Sequence, residues 1–254
     1  MGENSNIYFN RRLGKRPAKK DKRTLKLKKI LRDIPDIPEK YDFDIAHPEA
    51  SIPLPMFAND IWGNCVIAGR SHQTLRFEFT EQNRIISITD DDVIKQYFKE
   101  TGGADEGLVM IDSLNSWRQE GWSVNGGNYN IYAYGKVNPK NRYLVKATIY
   151  LLSGASTGFM LPISVERQMD SGQVWDVVKG FEGEAGSFGG HCVFICGYDE
   201  EGPTCITWGQ KQKMTWKFLS TYCDEFFGIV DNRNKENSNI DIYKLNSYLI
   251  KVTC

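Results

Sequence analysis

The apolar positions of this chain change period near its middle. From Cys65, residues Val66, Ile67, Ala68, Leu75, Phe77 and Phe79 are spaced for a largely buried helix ending near Asn83. Thr89 followed by Asp90, Asp91 and Asp92 reads as an N-cap with acids in the first turn, leading into a helix that Gly102-Gly103 stops. That reading accounts for the acidic triplet without a metal. Asp112 to Gln119, with Leu114 and Trp117 three apart, predicts a further short helix.

After Gly126-Gly127 the period shortens to two. Tyr129, Ile131, Ala133 and Gly135 alternate with polar residues and predict a strand. A helix is expected over 141–152, a strand over 158–165, a glycine-rich loop over 181–190 and a buried strand from His191 to Cys196 that a Gly197 turn closes. A short second strand, Cys205 to Gly209, would lie beside it. Residues 213–225 read as a helix or a helical turn, 226–230 as a strand, 231–240 as a polar loop, and 242–252 as a helix or edge strand.

Two stretches carry candidate chemistry. Gly63-Asn64-Cys65 delivers a thiol to the start of a helix, where unpaired N–H groups and the helix dipole favour thiolate. His191 heads the buried strand and supplies a base, with Trp208 near enough to cover it. His72 lies seven residues past Cys65 on the same helix, roughly 10.5 Å along the axis, too far for the hydrogen bond of a catalytic pair. His47 precedes Pro48 and is placed on a loop.

On these motifs the chain resembles the papain-like cysteine peptidases. The matching positions are Asn59, six before the cysteine, where the family has glutamine; Gly63, two before it; the run His191 to Tyr198; and Ile206-Thr207-Trp208-Gly209, a partial match to Asn-Ser-Trp-Gly. It looks most like a set of uncharacterised bacterial and phage proteins with a Gly-(Asp/Asn)-Cys turn and a Thr-Trp-Gly strand.

The resemblance implies an α+β fold of two lobes, a helical one over about 60–125 and an antiparallel sheet or barrel over about 126–230. The papain-like domain would start near residue 34, with 231–254 as a C-terminal extension. It further implies Cys65 as nucleophile, His191 as general acid and base, Asn59 in the oxyanion hole, and Gly63, Trp208 and Thr207 in support. The family's orienting asparagine aligns with Ile206, and strand alternation turns Thr207 to the opposite face, so this orienter is expected to be missing. Amide hydrolysis of a peptide or protein through a thioester is the implied reaction. A catalytically weak binding or structural protein, and a thiol acyltransferase or cell-wall amidase, are the alternatives. No cofactor or metal is implied.

Composition adds a division of charge. Between Arg11 and Lys29 lie eleven Lys or Arg and one acid, which leaves 21 basic against 31 acidic residues for the rest. The basic arm, residues 1–33, is expected to be a solvated, flexible tail. The other readings are a segment docked on its own acidic body through 11–29 or a contact with nucleic acid or another anionic partner. With 254 residues, 41% of them hydrophobic, the chain can bury a full core. Six cysteines without a CxxC pair, and no leader or spanning stretch, suggest reduced thiols in a cytoplasmic protein, phage-associated by resemblance.

Overall fold

Strand β1 (Tyr41–Asp42) and a single helical turn, α1 (Phe43–Ala46), bring the chain to the helix α2 (Cys65–Gln82). Helices α3 (Asp90–Thr101) and α4 (Met110–Gln119) follow, then the hairpin β2 (Trp122–Val124) and β3 (Gly127–Tyr129). The second half runs β4 (Ala133–Lys136), α5 (Arg142–Leu151), β5 (Ala155–Leu161) and α6 (Ser164–Asp170). It continues as β6 (Gly189–Tyr198), β7 (Pro203–Thr207), β8 (Gln210–Lys213), α7 (Trp216–Tyr222), β9 (Cys223–Val230) and α8 (Ile242–Thr253). This is a computed structural model, and it describes residues 11–232, 235, 237 and 239–253. The first ten residues of the arm, Cys254 and part of the expected loop at 231–240 lie outside the described residues.

A seven-stranded antiparallel sheet of order β4-β9-β5-β6-β7-β8, with β1 beside the end of β6, forms the spine. Because side chains alternate along a strand, β6 and β9 feed two cores. Cys192, Phe227 and Ile229 pack with α2, α3, α4 and the β2–β3 hairpin. Val193, Ile195, Phe226 and Val230 pack with α5 and α7. Helix α2 is buried from Cys65 to Glu78, polar residues included, and several of its polar side chains find partners, although neither amide atom of Gln73 makes a hydrogen bond among the described residues. Ser71 and Thr74 donate to carbonyls one turn back, while Arg70 and Arg76 pair with Glu100 and Asp44. Such pairing is what lets charges lie in an interior.

Some boundaries differ from the sequence reading. The strand predicted over 158–165 begins at Ala155 and stops at Leu161, because Pro162 cannot donate to the ladder; α6 follows. The single strand predicted from Tyr129 to Gly135 is two, β3 and β4. The helix predicted over 213–225 is confined to α7, where the Thr215 hydroxyl accepts from the Phe218 N–H, and β9 takes the rest. The acidic triplet is a capping box, with Thr89 and Asp92 bonding each other's backbone.

The arm is the largest departure, since parts of it are packed against the body while residues 16–20, 22 and 23 are exposed. Leu25, Leu27 and Ile30 are buried in the same core as α5. The Lys136 N–H donates to the Leu25 carbonyl at 2.7 Å, and Leu27 lies so close to Gly135 and Gly228 that a side chain at either glycine would collide with it. Among the described residues no helix is long and apolar enough to cross a membrane.

Candidate active site

The turn from Phe57 to Asn64 aims Cys65 because its polar groups are used to hold it. The Asn64 side chain donates to the Phe57 carbonyl at 2.8 Å, and Phe57 and Ala58 adopt positive φ. The Gly63 N–H donates to Asp105 Oδ1 at 2.9 Å. The same oxygen accepts the Tyr97 hydroxyl at 2.7 Å, and Tyr97 in turn accepts the Gly107 N–H. A carboxylate from beyond α3 thus fixes the residue two before the thiol. Neither Tyr97 nor Asp105 stands out in the sequence.

His191 sits on β6, fully buried, and the adjoining Cys192 N–H donates to Cys65 Sγ at 3.3 Å. His191 Nε2 lies 2.7 Å from Thr207 Oγ1, and Nδ1 has no hydrogen-bond partner. The expectation that Thr207 faces away is therefore corrected. Phe194 pairs with Ile206 and Ile195 with Cys205, and carrying that register on puts Thr207 on the face of Val193 and His191. Ile206 falls on the other face with Phe194 and Cys196.

Trp208 and Gly209 form the two-residue turn between β7 and β8, both with positive φ as such hairpins require. Tryptophan is uncommon in that conformation, and here it lays the indole parallel to the imidazole, centroids 4.1 Å apart and 13° between planes. Asn59 is buried, and its side-chain amide donates to the Trp62 carbonyl at 3.1 Å and to the Arg12 carbonyl at 3.3 Å. Trp208 Nε1 donates to the Arg12 carbonyl as well, at 3.2 Å.

Arg12 belongs to the arm, which runs through the site. The Arg12 N–H donates to the Asn59 carbonyl, Lys15 N–H to Gly190, Arg16 N–H to Leu108, and Leu108 N–H to the Gly14 carbonyl. A charged collar closes around this backbone: Arg11 pairs with Asp170 at 2.6 Å, Arg12 with Asp105 at 3.3 Å and Arg16 with Glu106 at 3.4 Å. Cys65 is left 1% exposed.

Burial opposes ionisation of both Cys65 and His191. Burial pushes the Cys65 thiol up to about 11, against hydrogen bonds to sulfur from the Cys192, Gly14 and Val66 backbones. Burial pushes His191 down to about 3. Against the helix-start effect that favours a thiolate, exclusion of water favours the neutral pair. His72 is buried against Phe57, its pKa lowered well below the ordinary value first by burial, and it lies outside the site. His47 sits between Phe43 and Phe79 and pairs with Glu49 at 3.5 Å.

The five described cysteines are free. Asp42, Asp44 and Cys196 bring potential ligand atoms within 4.8 Å of one another, and Lys211 and Arg76 answer their charge at 2.7 Å from Asp42 and Asp44 respectively.

No family model and no curated protein sequence matches this chain. Solved structures do. Xylellain, a cysteine protease from Xylella fastidiosa, superposes with a TM-score of 0.67 at 16% identity, covering 87% of this chain and 97% of its own. Procathepsin B S9 from Trypanosoma congolense gives 0.62 at 14%, covering 91% of each chain. The Carica candamarcensis cysteine protease CMS1MS2, in complex with E-64, gives 0.55 at 12%, covering 78% of this chain and all of its own. This chain has the α+β papain-like fold, with Cys65 at the start of its buried helix and an antiparallel sheet behind it.

Proposed function

We propose that this protein is a papain-like thiol hydrolase that cleaves amide bonds in peptides or proteins, with residues 34–254 as the catalytic domain and the arm as its cover. The observation that carries the reading is His191, held by Thr207 at Nε2 and by the Trp208 face, with Nδ1 unpartnered beside the strand residue that bonds Cys65. With Nε2–H donating to Thr207, Nδ1 is the acceptor that takes the proton from Cys65 Sγ. The thiolate adds to the carbonyl carbon, and the oxyanion is met by the Asn59 amide and the Cys65 N–H, one such donor being worth ~3 kcal/mol. His191 returns the proton to the leaving amine, and water resolves the thioester with His191 as base. The Arg12 carbonyl, held by Asn59 and Trp208, supports this reading, because it marks a place where the cleft offers two N–H donors to a carbonyl oxygen.

The test is alkylation of Cys65 by iodoacetamide against pH, followed by mass spectrometry, in a Gly14→Ala chain whose arm is displaced. Fast labelling at pH 6, reduced in Gly14→Ala/His191→Ala to the rate of a thiol of pKa about 8.5, is the expected result. Equal rates in the two chains would sink the pair.

A further inference from the structure

The Lys15 side chain leaves the arm's backbone and goes inward. It is completely buried, with Nζ 2.8 Å from Asp224 Oδ2, 3.2 Å from Glu225 Oε2 and 3.4 Å from the Arg16 carbonyl. Glu225 is 1% exposed. Gly158 makes the space: a Cβ there would sit 2.2 Å from Lys15 Cε and 2.6 Å from Met110 Sδ. The Lys15 N–H donates to the carbonyl of Gly190, the residue before His191, and Gly14 lies against Gly63, two residues before Cys65. The pocket therefore opens beside the nucleophile.

A carboxylate pair of which Glu225 is buried and Asp224 partly so is costly without a cation. Among the described residues no cation outside the arm forms an ion pair with either carboxylate, and the arm's backbone lies across the site between Asn59, Leu108 and Gly190. Asp224 Oδ1 is also buried and accepts no hydrogen bond, so the pocket has acceptor capacity beyond one ammonium. A guanidinium, with five donors in a plane, would use it.

We infer that the pocket formed by Asp224, Glu225, Gly158 and Met110 is the specificity pocket of the cleft, that it takes a lysine or arginine side chain of the substrate, and that Lys15 occupies it as a resident surrogate. The inference rests on the thiol-hydrolase reading for the cleavage step, though not for the charge preference itself. A substrate enters by exchanging its own basic side chain for Lys15. Neutral and acidic chains leave both carboxylates unpaired and do not displace the arm.

The experiment uses the full chain with position 15 as the variable. Cys65 labelling by iodoacetamide reads whether the arm is seated, and circular dichroism reads folding. Lys15→Arg should label within about threefold of the native protein, and Lys15→Met at least about tenfold faster, as for one partner lost from a buried pair. Lys15→Met/Asp224→Asn/Glu225→Gln should regain protection, because a neutral side chain then meets a neutral pocket. Fluorogenic peptides carrying arginine, norleucine or glutamate through the three positions before the scissile bond are then offered to Lys15→Met. Arginine should be preferred at least about tenfold at one position, and Glu225→Gln should reduce that preference severalfold. The pocket assignment is overturned if Lys15→Met stays as protected as the native chain, or if norleucine is cleaved as fast as arginine. Labelling that follows charge while no peptide is cleaved would instead reject the hydrolase and keep the pocket.

Discussion

Gly14 lies flat against Gly63, so closely that a Cβ at position 14 would stand 1.7 Å from the Gly63 carbonyl oxygen. One glycine belongs to the arm and the other to the turn that leads into Cys65, and their contact brings the arm against that turn. Leu13 closes the other side, its carbonyl 2.9 Å from where a Gly63 Cβ would be. The cover is thus built on backbone approach, which one methyl group abolishes.

Gly14→Ala should therefore unseat residues 12–16 while leaving the anchor at Leu25, Leu27 and Ile30 in place. The expected outcome is a Cys65 alkylation rate raised by about tenfold or more, as for displacement of a tightly packed contact costing over ~1.4 kcal/mol. The thermal midpoint should move by only a few degrees. Mass spectrometry of labelled Cys65 with a parallel melt checks both; labelling as slow as in the native chain would show that the Gly14 contact does not hold the cover.

Thr207 gives a second test. Its hydroxyl is the hydrogen-bond partner of His191 Nε2 in a fully buried setting. Thr207→Val keeps the shape and leaves the imidazole nitrogen unpaired, at a cost of about 1–3 kcal/mol. In the Gly14→Ala background, kcat should fall about tenfold to a hundredfold with KM little changed, and Thr207→Ser should restore most of it. Equal losses in the valine and serine variants would mean packing, and not the hydroxyl, orients the ring.

These two positions show what a sequence gives up and what it withholds. Cys65 and His191 are legible because a glycine turn before a helix and an apolar strand leave one-dimensional patterns. Thr207 is not, since which face it shares with His191 depends on the register of β6 against β7, and register is a pairing between distant segments. The arm was hidden by its charge. Eleven basic residues read as a solvated tail, yet their partners Asp170, Asp105, Glu106, Asp112 and Asp224 are scattered through the chain. The signal pointing the other way was the opposite charge of arm and body, which left a docked segment among the readings. Tyr97 and Asp105 left no trace at all, because a hydroxyl and a carboxylate that converge on Gly63 come from separate segments.

Buried histidines make stability fall in acid. His191 is held down to about 3 from an ordinary 6.5, and His72 is lowered well below 6.5, both chiefly by burial. Below pH 6.5 the unfolded chain binds protons that the folded chain refuses, so stability is full above 6.5 and declines as pH drops toward 3. Glu225, raised by burial, works in the opposite direction, and Asp105 and Asp44, lowered by their hydrogen-bonded partners despite burial, add to the acid loss. Urea midpoints at pH 8, 6 and 4.5 should fall in that order. His72→Leu should flatten the slope between 6 and 4.5, and an unchanged slope would remove His72 as its source.

Asp105 ties the turn before Cys65 to the arm, since one oxygen accepts Gly63 N–H and Tyr97 while the other meets Arg12 at 3.3 Å. Arg12 is half-exposed there, so that ion pair contributes little, whereas the Gly63 bond lies partly buried and sets where Cys65 begins its helix. Removing the carboxylate should therefore act on chemistry more than on arm seating. In the Gly14→Ala background, where the cover is already displaced, Asp105→Ala should lower kcat by about tenfold, the order expected for a nucleophile misplaced by a fraction of an ångström. Asp105→Asn can still accept the Gly63 N–H through its amide oxygen and should lose less. Tyr97→Phe, which frees one lone pair of Asp105 and leaves Gly107 N–H without its acceptor, should fall between them. Steady-state kinetics on the three variants, with Cys65 labelling as the control for arm position, checks the order. A kcat unchanged in Asp105→Ala would mean that Gly63 is held by packing alone.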